Sequence, residues 1–388
     1  MHKQRIERLQ AMLVADCLDG ILYADSGDMQ YFLDDPSCFF YRMRHTGNGR
    51  TAEDRIYNGH FAHNPDRILL IPAVGEPVLI TTYQRAGELK KSEVPVVATH
   101  FAVLHTALGK YIKGKQRIAV GQSCDKALRQ MVGEIDRNVA TPNGEKYSEA
   151  LRVIKDAGEI EKMRAVCAFT DQSMGRVAKA LVPGATALDI RELIGTIALE
   201  NDLDLSFDPG VMYVHTGGPA SDIMFSCPED SPIREGTAIS FDYGFVMDGY
   251  CSDYGRSFYC GTHAEIRKAY ALLQEAQLDL LGKIKPGVGL NTCYKTVYSY
   301  LKPSGLSPYL RQHDAVHTMG HQIGVEQHER PRLRDDETEV LFQPGMVVCV
   351  EPKIWWPGKC YLRCEDIVLV TETGCESLTT YDRNHFEL

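Results

Sequence analysis

Residues 237–260 read TAISFDYGFVMDGYCSDYGRSFYC. Asp248-Gly249 is a hairpin-turn signal between two strand-like runs. A two-residue loop sets Met247 opposite Tyr250, and the same register carried down the hairpin sets Asp242 opposite Gly255. Asp253, two residues before Gly255, then shares the face of Asp242 on the diagonal. Diagonal neighbours lie roughly 7–8 Å apart, within reach of one ligand or of a metal pair. Taken alone, two solvated acids on an edge hairpin are the simpler reading.

A second hairpin changes that balance. In VVCVEPKIWWPGKCYLRCEDIVLV (347–370) the turn falls near Pro357-Gly358, which brings Glu351 and Glu365 nearly opposite one another. Their neighbours are Val, Ile, Leu and Cys, the mark of a buried hairpin, and buried carboxylates need a cation or strong donors. Between the hairpins lies VHTMGHQIGVEQHERP (316–331), with His317, His321 and His328 out of thirteen histidines in the chain. The spacing of His317 and His321 also suits one helical face. The flanking Gly320 and Gly324 and the β-branched Ile323 and Val325 favour an extended or looped backbone instead. One such histidine alone reads as a hydrogen-bonded core residue. Four acids and a histidine cluster together read as an oxygen-rich metal site with imidazole added. Cys251 and Cys349 lie two residues before Asp253 and Glu351 on the same faces, and read as ordinary buried thiols.

At 388 residues the chain has room for two domains with substantial cores. Its first third alternates element types. A helix-like RIERLQAMLVADCL precedes the strand GILYA, a hairpin spans 67–82 with Gly75 near its turn, and QRIAVG is a further strand. The long stretch between Asp35 and Asp66, rich in Arg, His, Tyr, Gly and Asn, reads equally as a mobile surface insertion or a substrate-contacting one. From about residue 148 long helices and antiparallel hairpins share one block, which predicts an α+β domain. The expected division is 1–147 and 148–388.

Composition is ordinary globular, 44% hydrophobic and 24% charged with a net charge of −10. No basic block stands out, so no nucleic-acid partner is expected. No apolar run approaches a membrane span, and the N-terminal stretch lacks an uninterrupted apolar core of the secretory kind. Twelve cysteines without a CxxC pair suit reduced thiols, and the expected location is the cytoplasm.

The ordered set Asp242, Asp253, His321, Glu351, Glu365, in the contexts DYG, GYCSD, GHQIGVEQHE, PGMVVCVEP and LRCEDIVLVTETG, resembles the five metal ligands of the pita-bread metallopeptidases. That family includes methionine aminopeptidase, prolidase, aminopeptidase P and creatinase, and HTMGHQIG looks most like the Xaa-Pro peptidase branch. The resemblance covers the whole chain. It implies a creatinase/prolidase-like N-terminal domain, a pita-bread catalytic domain, and a homodimer. It also implies two divalent metal ions (Mn, Co, Zn or Fe) that hold a hydroxide and polarise an amide carbonyl. By resemblance His321 and Glu351 serve one ion and Asp242 the other, while Asp253 and Glu365 bridge them. His317 and His328 become substrate-side donors, Glu351 handles the proton, and Arg363 orients Glu365.

The pattern breaks at three places. The histidine expected seventeen residues before Asp242 is Phe225, with His215 as the nearest substitute in sequence. The Thr expected two residues after Asp253 is Gly255, and the small residue expected after Glu351-Pro352 is Lys353, on the strand face of Glu351. Phe225, His215 and Lys353 are therefore the candidate substrate residues. The leading expectation is an Xaa-Pro dipeptidase-like or aminopeptidase-like hydrolase acting on a dipeptide. The alternatives are a non-peptidase enzyme on the same scaffold acting on a small molecule, by creatinase-like C–N hydrolysis or dimethylsulfoniopropionate-type C–S lysis, and, last, a non-catalytic binding module.

Overall fold

The structure is a computed structural model, and it describes residues 2–38, 65–89, 93–121, 125–218, 228–311 and 317–388. The chain forms two compact units, Met1–Arg152 and Val153–Leu388.

In the first unit, β1 (Gly20–Ala24), β2 (Arg67–Pro72), β3 (Val78–Thr82), β4 (Val96–Thr99) and β5 (Ile118–Val120) make one sheet in the order β4-β3-β2-β1-β5. β1 pairs antiparallel with β2 and parallel with β5, so it is an interior strand, and it is buried along its whole length. That is why GILYA is an unbroken apolar run rather than an alternating one. Leu104, Leu108 and Ile112, one turn apart on the helix Leu104–Ile112, bury against Leu22, Ile80 and Val120 in the same core. The helix Glu145–Arg152 belongs to this unit. Arg152 Nη1 lies 2.8 Å from Asp28 Oδ1, and the Tyr31 hydroxyl donates to the Leu151 carbonyl at 3.1 Å. Most of the 36–66 stretch, residues 39–64, falls outside the described residues.

The second unit begins with two capped helices. Ala157–Ala180 has a capping box between Asp156 and Glu159, and Ala187–Glu200 has one between Thr186 and Asp189. Together with Ala264–Leu281 they match the three long helices legible in the sequence. The strands are β6 (Asp204–Leu205), β7 (Gly210–His215), β8 (Thr237–Asp242), β9 (Phe245–Met247), β10 (Tyr250–Cys251) and β11 (Ser257–Cys260), followed by β12 (Thr318–Gln322), β13 (Glu329–Arg334), β14 (Val347–Val350), β15 (Lys353–Trp356), β16 (Cys360–Arg363), β17 (Asp366–Val370) and β18 (Cys375–Ser377). They form sheets ordered β11-β8-β7, β10-β9-β6, β13-β12-β14-β17-β18 and β15-β16. Mixed helices and antiparallel sheets make this an α+β fold.

Both hairpins keep their expected registers. Met247 faces Tyr250 across a turn in which Asp248 (φ 49°) and Gly249 (φ 78°) are left-handed, and Ser240 faces Ser257 further down. In the second, Val350 faces Asp366 and Lys353 faces Arg363. Each hairpin is nevertheless interrupted where its acids sit. β14 ends before Glu351-Pro352 and β16 before Cys364-Glu365, since Pro352 has no N–H to donate and the two chains divide between different sheets. Glu351 and Glu365 therefore lie at a break in the ladder, where side chains can turn toward β12.

β12 itself is extended, as the glycines and β-branched residues around His321 predict. His321 pairs with Cys349 on β14. The approach is close: a Cβ on Gly320 (φ 145°) would lie 1.9 Å from the Cys349 carbonyl oxygen. Only glycine permits both that backbone angle and that distance.

Candidate metal centre

Four side chains converge from four strand segments. Asp253 follows β10, His321 sits in β12, Cys349 in β14, and Glu365 precedes β17. One ligand atom from each lies within 4.8 Å of the others, and all four residues are buried. His321 Nδ1 lies 3.0 Å from the Gln322 carbonyl oxygen. A carbonyl only accepts, so Nδ1 carries the proton and Nε2 presents its lone pair to the centre. That Nε2 is 3.4 Å from Asp253 Oδ2 without a hydrogen bond. Asp253 Oδ1 is likewise buried with no hydrogen-bond partner among the described residues, while Oδ2 accepts from Gln327 Nε2 at 3.1 Å. Glu365 accepts from the Cys349 thiol at 3.0 Å on one oxygen and from Arg363 Nη1 at 2.8 Å on the other.

Electrostatics agrees with this picture. Burial pushes the carboxyl of Glu365 well up, against the pull of Arg363 and with added push from Asp253 and Asp242. Burial also raises Asp253, although His321 opposes it. Two buried carboxyls held against ionisation, in one cluster with an imidazole lone pair and a thiol, make a donor set suited to a divalent cation.

The remaining two acids of the expected five, Asp242 and Glu351, are already engaged by cations. Arg363 Nη1 bridges Glu365 and Asp242, and Lys353 Nζ closes on Glu351 Oε2. Burial opposes charge on Glu351, but Lys353, His321 and Arg363 outweigh it and hold its carboxyl far below the usual range. Gly255 is accounted for by the same packing. A Cβ there would sit 2.2 Å from Arg363 Cδ and 2.6 Å from Glu365 Oε2, so the arginine stem occupies the space of the expected threonine.

The histidines differ in setting. His317 Nδ1 pairs with Asp335 Oδ2 at 2.8 Å while its ring stacks on Tyr294 at 4.3 Å, which fixes its plane and leaves Nε2 as its outer atom. The His328 ring meets His321 edge-on at 4.2 Å. Although part of His328 reaches solvent, burial and the neighbouring His321 push its pKa down, so it sits as a neutral donor or acceptor. His215 is not brought to the centre. It pairs with Thr237 at the far end of the β7–β8 ladder, whereas Asp242 pairs with Gly210 five residues along, roughly 17 Å at strand rise. Its Nδ1 contacts Thr237 Oγ1 at 2.9 Å. Phe225 falls in 219–227, outside the described residues.

Sequence reasoning did not assign Cys349, Gln327 or the cation partners of Asp242 and Glu351. The alternation that places Cys349 on the face of Glu351 was the available signal. Gln327 had none, because its reach to Asp253 depends on the path of the loop after β12. Cys251, by contrast, turns away and donates to the Val325 carbonyl at 3.5 Å.

Comparison with known proteins bears on the same residues. The model of metallopeptidase family M24 matches residues 161–372. An uncharacterized peptidase of Staphylococcus saprophyticus is 28% identical over 346 residues, 84% of this chain and 92% of that one. A probable dipeptidase PepE of Mycobacterium tuberculosis is 33% identical over 231 residues, 59% of each chain. Among solved structures, a prolidase from Thermococcus sibiricus superposes with a TM-score of 0.81 at 22% identity, over 100% of this chain and 99% of that one. An Xaa-Pro dipeptidase from Bacillus anthracis gives 0.80 at 22% identity over 100% of both. These two share the pita-bread fold. With a family match that runs from the first long helix of the second unit past Glu365 and takes in all five expected ligands, this chain belongs to metallopeptidase family M24 and is a metallohydrolase.

Proposed function

We propose that this enzyme hydrolyses the amide bond of Xaa-Pro dipeptides in a divalent-metal-dependent reaction. The observation that carries the reading is the buried convergence of Asp253, His321 and Glu365, with His321 Nε2 3.4 Å from Asp253 Oδ2 and both Nε2 and Asp253 Oδ1 without a hydrogen-bond partner among the described residues. Asp242, Asp253, His321, Glu351 and Glu365 offer positions for up to two divalent ions, with Mn, Co, Zn and Fe as candidates. A bound ion would acidify a water and polarise the scissile carbonyl. Glu351, kept ionised beside Lys353, takes the proton of the attacking water and returns it to the leaving nitrogen. His317, its plane fixed by Asp335 and Tyr294, donates from Nε2 to the developing oxyanion, and His328 lines the substrate side. Arg363 holds Glu365 and Asp242 in place.

The test is a panel of Xaa-Pro dipeptides assayed with the metal-reconstituted enzyme, beside creatine-like and sulfonium substrates. Efficient Xaa-Pro cleavage is expected. Cleavage confined to the small molecules would replace this reading with the non-peptidase alternative, which the Lys353 ammonium favours as a grip for an anionic substrate.

The unit Met1–Arg152 is proposed to be the creatinase/prolidase-type N-terminal domain and the second unit the catalytic one. Among the described residues no helix is long and apolar enough to cross a membrane. The free thiols Cys167, Cys251, Cys349 and Cys364 suit a reducing compartment, and the proposed location is the cytoplasm. A homodimer is proposed as the working form. Light scattering at micromolar concentration should give twice the 43.4 kDa chain mass, and a monomer alone would remove the proposal.

A further inference from the structure

We propose that the centre holds a single divalent ion rather than two, ligated by Asp253, His321, Cys349 and Glu365, with the Lys353 ammonium in place of the second ion's charge. The proposal rests on the metal-dependent reading above and goes beyond it in ion number and in donor set.

Charge carries the first part of the argument. The centre contains four carboxylates, Asp242, Asp253, Glu351 and Glu365, and two cationic side chains, Lys353 and Arg363. Lys353 is 5% exposed and Arg363 is 3% exposed, so neither charge is dissipated in solvent. With the Cys349 sulfur ionised on binding, four carboxylates, one thiolate and two cations sum to −3, so one divalent ion leaves −1 and a second +1; without the Lys353 ammonium the sum would be −4, which two ions would cancel. Lys353 cannot simply swing away, because its backbone is locked into the β15–β16 ladder opposite Arg363 and the stem is buried with it.

Geometry carries the second part. Lys353 Nζ occupies Glu351, Arg363 Nη1 lies on both Asp242 and Glu365, and neither Asp242 nor Glu351 belongs to the tight cluster of donor atoms. The atoms that remain within one coordination span are those of Asp253, His321, Glu365 and the Cys349 thiol. Cys349 Sγ already donates to Glu365 Oε1 at 3.0 Å, and His321 Nε2, 3.4 Å from Asp253 Oδ2, has no hydrogen-bond partner among the described residues. On metal binding the thiol would lose its proton to solvent and its sulfur would become the fourth ligand. A mixed N, O and S set suits a thiophilic ion such as Zn²⁺ or Co²⁺ over Mn²⁺, and the water of the proposed reaction would enter as a fifth ligand.

The experiment loads the full-length protein with Co²⁺, desalts it, and measures metal content and absorption together. The wild type should retain one ion per chain and show a sulfur-to-cobalt charge-transfer band in the near ultraviolet. Cys349→Ser should lose that band. Lys353→Met should retain two ions, and its melting curve checks that it is folded. If Lys353→Met does not fold, wild-type stoichiometry and the Cys349→Ser spectrum still decide the question. Two tightly held ions in the wild type, no sulfur band, or one ion in a folded Lys353→Met would each overturn the proposal. Absence of any ion from the wild type would remove the metal-dependent function as well. One ion with a sulfur band but no Xaa-Pro cleavage would remove only the proposed substrate.

Discussion

Asp253→Ala is expected to lose metal and hydrolysis together while the protein stays folded. Asp253 is 2% exposed and is the centre's meeting point: one oxygen faces His321 Nε2 at 3.4 Å, and the other has no hydrogen-bond partner among the described residues. Removing it takes away a charged donor that the metal reading cannot replace, since Gln327, which donates to it, is neutral and supplies no carboxylate. Loss of even a supporting residue typically costs about 10–100-fold in metal affinity or activity, so loss of a direct ligand should exceed about 100-fold. Folding should survive, because the substitution also relieves the push of Asp253 against Glu365 and Asp242. The measurements are metal content after desalting and kcat/KM on the best dipeptide of the panel, with a thermal melt as control. Full metal retention by Asp253→Ala would sink the assignment of this residue as a ligand.

Asp366→Ala is expected to show the reverse: a large loss of stability from a residue that touches no substrate. Asp366 is fully buried beside Glu365 and accepts from Arg256 Nη2 at 2.6 Å, from Thr379 Oγ1 at 2.8 Å and from Arg383. Burial alone would raise its pKa, but the two guanidinium groups outweigh that and hold it low, so it is ionised in the fold. Arg256 also donates to the Glu365 and Gly255 carbonyls. Truncating Asp366 leaves a guanidinium at 2% exposure without its counter-charge, a defect worth about 3–5 kcal/mol. Urea denaturation should show that loss as a lowered midpoint at unchanged slope. Because Arg256 and Glu365 share a backbone contact, metal affinity should fall as well. A loss under about 1 kcal/mol would mean that Arg383 and solvent compensate the pair.

Much of the fold was legible because its signals are local. The Asp248-Gly249 turn fixes one hairpin register, and that register alone puts Asp242 and Asp253 on one face. Alternation in 347–370 fixes the other. The extended conformation of His321 follows from its glycine and β-branched neighbours. His215 could not be judged in this way. Nearness in sequence suggested a substitute for the histidine expected at position 225, yet strand pairing carries His215 to the far end of its ladder from Asp242.

By itself, then, the sequence determined the registers of its two acid-bearing hairpins, which set Asp242 with Asp253 and Glu351 with Glu365, because turn chemistry and side-chain alternation act over a few residues. Only the tertiary structure decided how their charges are shared. Arg363 spans Glu365 and Asp242 from two different hairpins, Lys353 takes Glu351, and the Cys349 thiol donates to Glu365. The reason is physical. Coulomb energy between buried groups depends on distances across elements and on what water is excluded, and neither is a property of any short stretch of chain.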